Sequence, residues 1–293
     1  MRRKKFSTVI VVLVIIAGLS FILYPTVSNF LKSMAYHRAI DEFVAIVENI
    51  DEETYDDIMA AAIAYNEKLL IRGNVRTPLT EEEQVEYNEL LKIDSSGIMG
   101  YIVIPKINAS LPIYHGTSEA VLQSGIGHLD GSSLPIGGAG SHSVLSGHRG
   151  LPSAKLFTNI DQLVIGDTFT VRVRKEVLTY EVDEIKTVLP SEVNSLQIVE
   201  GEDYCTLLTC TPYGVNSHRL LVRGHRIPTP EGQDAATFDR LTTEQNKTYY
   251  YLPLVLGVAV MILVILLTVI MAVVRRRKNR RKKRMAKHIN RVS

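Results

Sequence analysis

The chain has 293 residues and a formal charge of +2, but the near-neutral total conceals a strong segregation of charge. Two end segments, 1–5 and 275–293, hold 15 of the 33 basic residues and none of the 31 acidic ones, which leaves 18 basic against 31 acidic residues, net −13, between them. An acidic central region repels phosphate backbones, so nucleic-acid binding is not its function, and the basic ends read as topology signals beside a membrane.

Phe6 to Leu31 contains no charged residue over 26 positions, and Thr248 to Val274 contains none over 27. Each is long enough to cross roughly 30 Å of hydrocarbon as a helix, and a helix is the form in which a single segment satisfies its own backbone there. A cleaved signal peptide is the alternative for the first run, since Arg2, Arg3, Lys4 and Lys5 precede it. The run exceeds a signal-peptide core, and the small-residue site Ser33-Met34-Ala35 lies well past its centre. A retained anchor fits better. Basic flanks stay on the cytoplasmic side, so the expectation is a protein embedded in the plasma membrane with both termini in the cytoplasm and residues 32–247 outside. The expected divisions are a basic N-terminus (1–5), a membrane anchor (6–31), a helical region (32–98), a β domain (99–228), a linker (229–247), a second membrane helix (248–274) and a basic tail (275–293).

After the first apolar run, Ile40, Phe43, Val44 and Val47 recur at helical spacing, as do Met59, Ala62, Ile63 and Asn66 behind a cap at Asp51. Gly73 suits the end of that second helix. Thr80 and Glu83 form a capping-box pattern that opens a third, reaching about Leu91. From Tyr101 onward short β-branched runs alternate with turn residues: Tyr101–Ile104, Ser143–Ser146, Thr168–Val173, Val177–Val182, Tyr204–Thr209 and Arg219–Val222. Arg174-Lys175-Glu176 reads as a hairpin turn. Gly137-Gly138-Ala139-Gly140 reads as a flexible lead into a strand, since it lacks the Lys-Ser/Thr of a phosphate loop. The pattern predicts a closed or partly closed β-barrel with an N-terminal helical appendage.

The two cysteines, Cys205 and Cys210, fall in one predicted strand. Their odd separation sends the side chains to opposite faces, so a disulfide is not expected and one thiol should be core while the other is available. A thiol attacks a carbonyl as thiolate, and histidine is the usual partner that holds or takes its proton. A fixed guanidinium can stabilise the oxyanion that follows. Taken alone, a strand-end Cys is more often a small buried hydrophobe, a His before Arg-Gly a solvated turn, and a strand Arg a surface charge.

Three strings change that balance: Ser-Gly-His-Arg-Gly at 146–150, Leu-Leu-Thr-Cys-Thr-Pro-Tyr-Gly at 207–214 and His-Arg-Leu-Leu-Val-Arg-Gly at 218–224. In order and content they resemble the His, Cys and Arg motifs of sortases, and the resemblance runs from about Ala35 through Ile227. It implies an eight-stranded sortase barrel with His148, Cys210 and Arg219 as catalytic residues, and it requires no metal or other cofactor. The helical extension, Met-Gly-Tyr-Ile-Val-Ile-Pro-Lys-Ile at 99–107, Leu-Pro-Ile-Tyr-His-Gly-Thr-Ser at 111–118 and the second apolar run are similar to class C, the pilin-polymerising class of Gram-positive bacteria. Such enzymes cut an LPXTG-like sorting signal of a pilin between Thr and Gly and pass the acyl group to a pilin lysine amine. A sortase that anchors proteins to peptidoglycan is the nearest alternative, and a non-catalytic membrane scaffold the more distant one. Class C members commonly carry an Asp-Pro-aromatic lid between the second and third helices. This chain has Arg76-Thr77-Pro78-Leu79 there, with the proline but neither the acid nor the aromatic.

Overall fold

The computed structural model describes residues 2–73, 79–173 and 175–230, together with part of 251–277. It divides into two units, one of residues 1–30 and 247–293 and the other of residues 31–246. α1 (Arg2–Asn49) begins in the first, where it carries the N-terminal apolar run, and Val14–Asn49 is the one described helix long and apolar enough to cross a bilayer. The second predicted span, 248–274, is described only in part. Among the described residues its apolar helical stretch is Gly257–Leu266, so a second membrane helix is not established.

The larger unit is built on eight strands: β1 (Ile98–Ile104), β2 (Ala109–His115), β3 (Ile126–His128), β4 (Ser141–Ser146), β5 (Thr168–Val173), β6 (Glu176–Val188), β7 (Asp203–Thr211) and β8 (His218–Ile227). They close into a barrel in the order β1-β2-β3-β4-β7-β8-β6-β5. The β2/β3 and β4/β7 pairs are parallel, and the remainder are antiparallel. Closure leaves no unpaired edge to aggregate. The predicted hairpin between β5 and β6 is present. Gly137–Gly140, expected to be a flexible lead, is tied down instead. The Gly138 N–H donates to the Asp203 carboxylate at 2.9 Å and the Gly140 N–H to the Glu202 carbonyl at 2.7 Å.

The helical appendage follows its caps. Asp51 accepts from the Thr54 N–H and opens α2 (Glu52–Arg72), which ends on Gly73 at φ 77°, a left-handed stop that glycine adopts without strain. The Thr80–Glu83 capping box opens α3 (Glu81–Glu89). The stripe Ile40, Phe43 and Val47 belongs not to a separate helix but to the continuation of α1, and it packs on Ile98 and Tyr101 of β1. Because the opposite face of β1 sends Ile102 and Ile104 into the main core, that strand is apolar on both sides.

The appendage also shares the barrel's core, through Ala62, Tyr65, Leu69, Tyr87, Leu90 and Leu91. Polar contacts also fix it. The Asn66 amide pairs with both backbone groups of Leu134, and the fully buried Tyr87 hydroxyl lies 2.9 Å from His128 Nδ1 while accepting from the Gly116 N–H. A carbonyl can only accept, so His128 Nε2, 2.8 Å from the Ser133 carbonyl, carries the ring proton, and Nδ1 accepts from Tyr87. Burial pushes the His128 pKa down to about 4. Between that value and an unfolded value near 6.5 only the unfolded chain takes the proton, so this stability is complete above pH 6.5 and is lost as pH falls toward 4. The loss is up to about 3 kcal/mol. Thermal melts should show a midpoint that drops over this window and drops less in His128→Gln. Superimposable pH profiles for the two proteins would show that His128 plays no part.

Candidate active site

β7 alternates strictly. Cys205 and Leu207 point into the main core, whereas Leu208 joins an apolar cluster on the outer face with Val144, Leu196 and Leu221. By the same alternation Cys210 lies on the outer face. Both cysteines are free: Cys205 is buried and Cys210 half-buried. Burial, assisted by the negative charge of Asp203, pushes the Cys205 thiol well above its ordinary range, so Cys205 is held as a thiol and cannot supply a thiolate.

Across the β7–β8 hairpin, Cys210 stands directly opposite Arg219. Residues paired in this way hold their Cβ atoms roughly 5 Å apart. Arg219 donates through Nη1 to the backbone carbonyls of Asn216 (3.3 Å) and His218 (3.1 Å) and has no carboxylate partner among the described residues. Arg223, four residues on and on the same face, is differently placed. Its Nε and Nη2 grip both carboxylate oxygens of Asp183 at 3.0 and 2.8 Å, and its guanidinium lies over the Tyr204 ring. One arginine is committed to a structural pair, and the other is available to a developing negative charge beside the thiol.

His148 follows the end of β4, the parallel neighbour of β7. Its loop is bolted to β7 on both sides of Cys210. Before His148, the Gly147 N–H donates to the Leu208 carbonyl (3.0 Å) and the Gly147 carbonyl accepts from Thr209 Oγ1 (2.6 Å). After it, Arg149 donates to Thr211 Oγ1 (3.0 Å) and to the Asp161 carboxylate. Thr209 and Thr211, the two chain neighbours of Cys210, thus hold the residues flanking His148. A Cβ at Gly147 would stand 2.7 Å from Ile126 and Phe157, so only glycine lets the loop approach the core this closely. The His148 ring, 25% exposed, has Nε2 3.5 Å from the carboxylate of Glu119 in the first turn of α4 (Glu119–Ser124).

The structure therefore brings Cys210 and Arg219 together on adjacent strands and anchors the His148 loop to the same strand. Of the lid candidates, Arg76, Thr77 and Pro78 lie outside the described residues, and Leu79 packs partly buried against the main core. Sequence reasoning missed Arg149, Thr209 and Thr211. Their signal was the small hydroxyl residues on both sides of one cysteine, which only the β4/β7 pairing makes meaningful.

A family model, the sortase domain, matches residues 102–227, from β1 to the end of β8. Sortase C1 from Streptococcus agalactiae is 55% identical and superposes with a TM-score of 0.64, over 66% of this chain and all of that one. The chain belongs to the sortase family. Sortase C from Streptococcus pneumoniae, described in terms of its pilin substrate specificity, is 43% identical over 66% of this chain and 97% of its own, with a TM-score of 0.58. Sortase D from Bacillus subtilis is 29% identical over 148 residues, half of this chain and 72% of that protein. The enzyme is thus a cysteine transpeptidase on an eight-stranded sortase barrel, and its solved structural neighbours include class C members.

Proposed function

We propose that the enzyme assembles pilins, cleaving an LPXTG-like sorting signal and joining its threonine to a lysine of the next subunit. The cross-strand pairing of Cys210 with Arg219, beside the anchored His148 loop, carries the chemistry. Kinship at 43–55% identity with class C enzymes, one of them described by its pilin specificity, supports the substrate.

In the first half-reaction the Cys210 thiolate attacks the threonine carbonyl, and the Arg219 guanidinium donates to the oxyanion. His148 gives its proton to the glycine nitrogen as the Thr–Gly bond breaks, leaving a thioester. In the second, neutral His148 takes a proton from the incoming lysine amine as it attacks the thioester. The tetrahedral adduct collapses to an isopeptide bond and expels the Cys210 thiolate. The protein sits in the plasma membrane through its two apolar runs, 6–31 and 248–274, with the barrel outside and both termini in the cytoplasm.

The test is an acceptor competition. Detergent-solubilised full-length enzyme receives a sorting peptide together with a lysine-bearing pilin fragment and a peptidoglycan stem peptide. Transfer to the pilin lysine is the expected result. Transfer to the stem peptide alone would identify a wall-anchoring enzyme instead, and release of no product would identify a scaffold.

A further inference from the structure

His142, on β4, takes no part in the chemistry above, yet both of its ring nitrogens have partners. Its side chain is 1% exposed. Nδ1 lies 2.9 Å from the Gln197 carbonyl and Nε2 lies 2.7 Å from Thr206 Oγ1. The carbonyl can only accept, so Nδ1 carries the proton and Nε2 accepts from the Thr206 hydroxyl. One neutral tautomer satisfies both contacts, and burial, which pushes the His142 pKa down to about 4, keeps the ring in that form. Tyr204 meets the ring edge-on.

Gln197 belongs to the connector between β6 and β7. Residues 189–200 of this connector are exposed or half-exposed except for Leu196, which is 4% exposed and packs against Val144 and Leu221. Local bonds also shape it: the Glu192 N–H to the Leu189 carbonyl, the Leu189 N–H to the Glu192 carboxylate, the Leu196 N–H to the Val193 carbonyl and the Gln197 side-chain amide to the same Val193 carbonyl. Such bonds shape the connector without placing it on the barrel. Placement comes at 196–198, where Leu196 enters the outer apolar cluster, the next carbonyl is held by His142, and Ile198 packs against the main core. That outer cluster includes Leu208, two residues from Cys210 on the same face.

We propose that His142 is a positioning residue: with Thr206 it latches the β6–β7 connector onto the sheet face that carries Cys210 and so fixes the connector beside a sorting signal held there. The inference rests on the function proposed above. His142 pairs with Tyr204, six residues along β7 from Cys210, which is about 20 Å at 3.3 Å per residue. It cannot touch the reacting atoms, and its influence passes through Leu196.

Two variants test the latch in the full-length, detergent-solubilised protein. His142→Ala removes both contacts, and Thr206→Val exchanges a hydroxyl for a methyl of the same shape, leaving Nε2 buried and unpartnered. Hydrogen exchange across 189–200 should quicken about tenfold in each, the scale of an unmade buried hydrogen bond. With an LPXTG peptide, KM should rise about tenfold while kcat falls no more than about twofold, because weakened binding and not altered chemistry is at stake. His142→Gln, whose amide can donate to Gln197 and accept from Thr206, should recover most of both effects. Wild-type exchange in the two disruptive variants overturns the latch, and faster exchange with unchanged KM or a loss confined to kcat overturns its role in positioning the substrate. If His142→Ala fails to fold, Thr206→Val carries the test. A wild-type enzyme that ignores the peptide contradicts the proposed function, while the exchange measurement still decides the latch.

Discussion

Cys210→Ala abolishes transpeptidation, and Cys205→Ala leaves most of it intact: this is the largest effect the structure leads one to expect. Five residues on a strand separate the two thiols and reverse their faces. Cys205 is 1% exposed, inside the barrel, with a thiol that burial holds protonated. Cys210 is half-buried on the outer face, at the end of β7 opposite Arg219. Loss of Cys205 removes one sulfur from a packed core, and a small cavity there costs on the order of 1 kcal/mol of stability without touching the site. Turnover of a sorting peptide and a thermal melt for each variant separate the cases. An inactive Cys205→Ala protein that folds as the wild type would transfer the nucleophile to the wrong face.

The arginines give the second large effect. Arg219→Ala should lower kcat/KM by about two orders of magnitude or more, the scale of losing one oxyanion donor. Arg223→Ala should keep most activity and lose stability, because it abandons Asp183. That pair is about a quarter exposed, so solvent screening limits the cost to about 1 kcal/mol. Position alone does not separate the two side chains, since both lie on the outer face of β8. Their partners do: a bidentate carboxylate and an aromatic face for Arg223, backbone carbonyls for Arg219. Full activity in Arg219→Ala with a hundredfold loss in Arg223→Ala would reverse the assignment.

How much of this was legible in the chain depends on the range of the interactions involved. Local signals held: Asp51, Gly73 and the Thr80–Glu83 box bound α2 and α3 as read, and the Thr168–Val173 strand has the predicted limits. Two strands escaped the pattern. β2 contains Pro112 and begins with Ala and Ser, and β3 has three residues, too few for any period. β6 runs to Val188, six residues beyond its predicted end, because the bulge between Val182 and Glu184 breaks the alternation. The opposite facing of the two cysteines needed only strand geometry. The anchoring of His148 needed the parallel β4/β7 pairing of segments some 60 residues apart, which no local period encodes. Only the resemblance of the three strings to the sortase motifs brought His148 to Cys210 in advance. The connector latch depends on the same pairing, and His142 and Thr206 appear unrelated in the chain.

The most direct measurement is the site of the acyl intermediate. Full-length enzyme mixed briefly with an LPXTG peptide, quenched in acid and digested, should yield a fragment in which the peptide ending at its threonine is bound through a thioester to Cys210. The adduct should disappear on addition of hydroxylamine or a lysine amine. An adduct on any other residue, or cleavage of the peptide with Cys210 never acylated, would contradict Cys210 as the nucleophile.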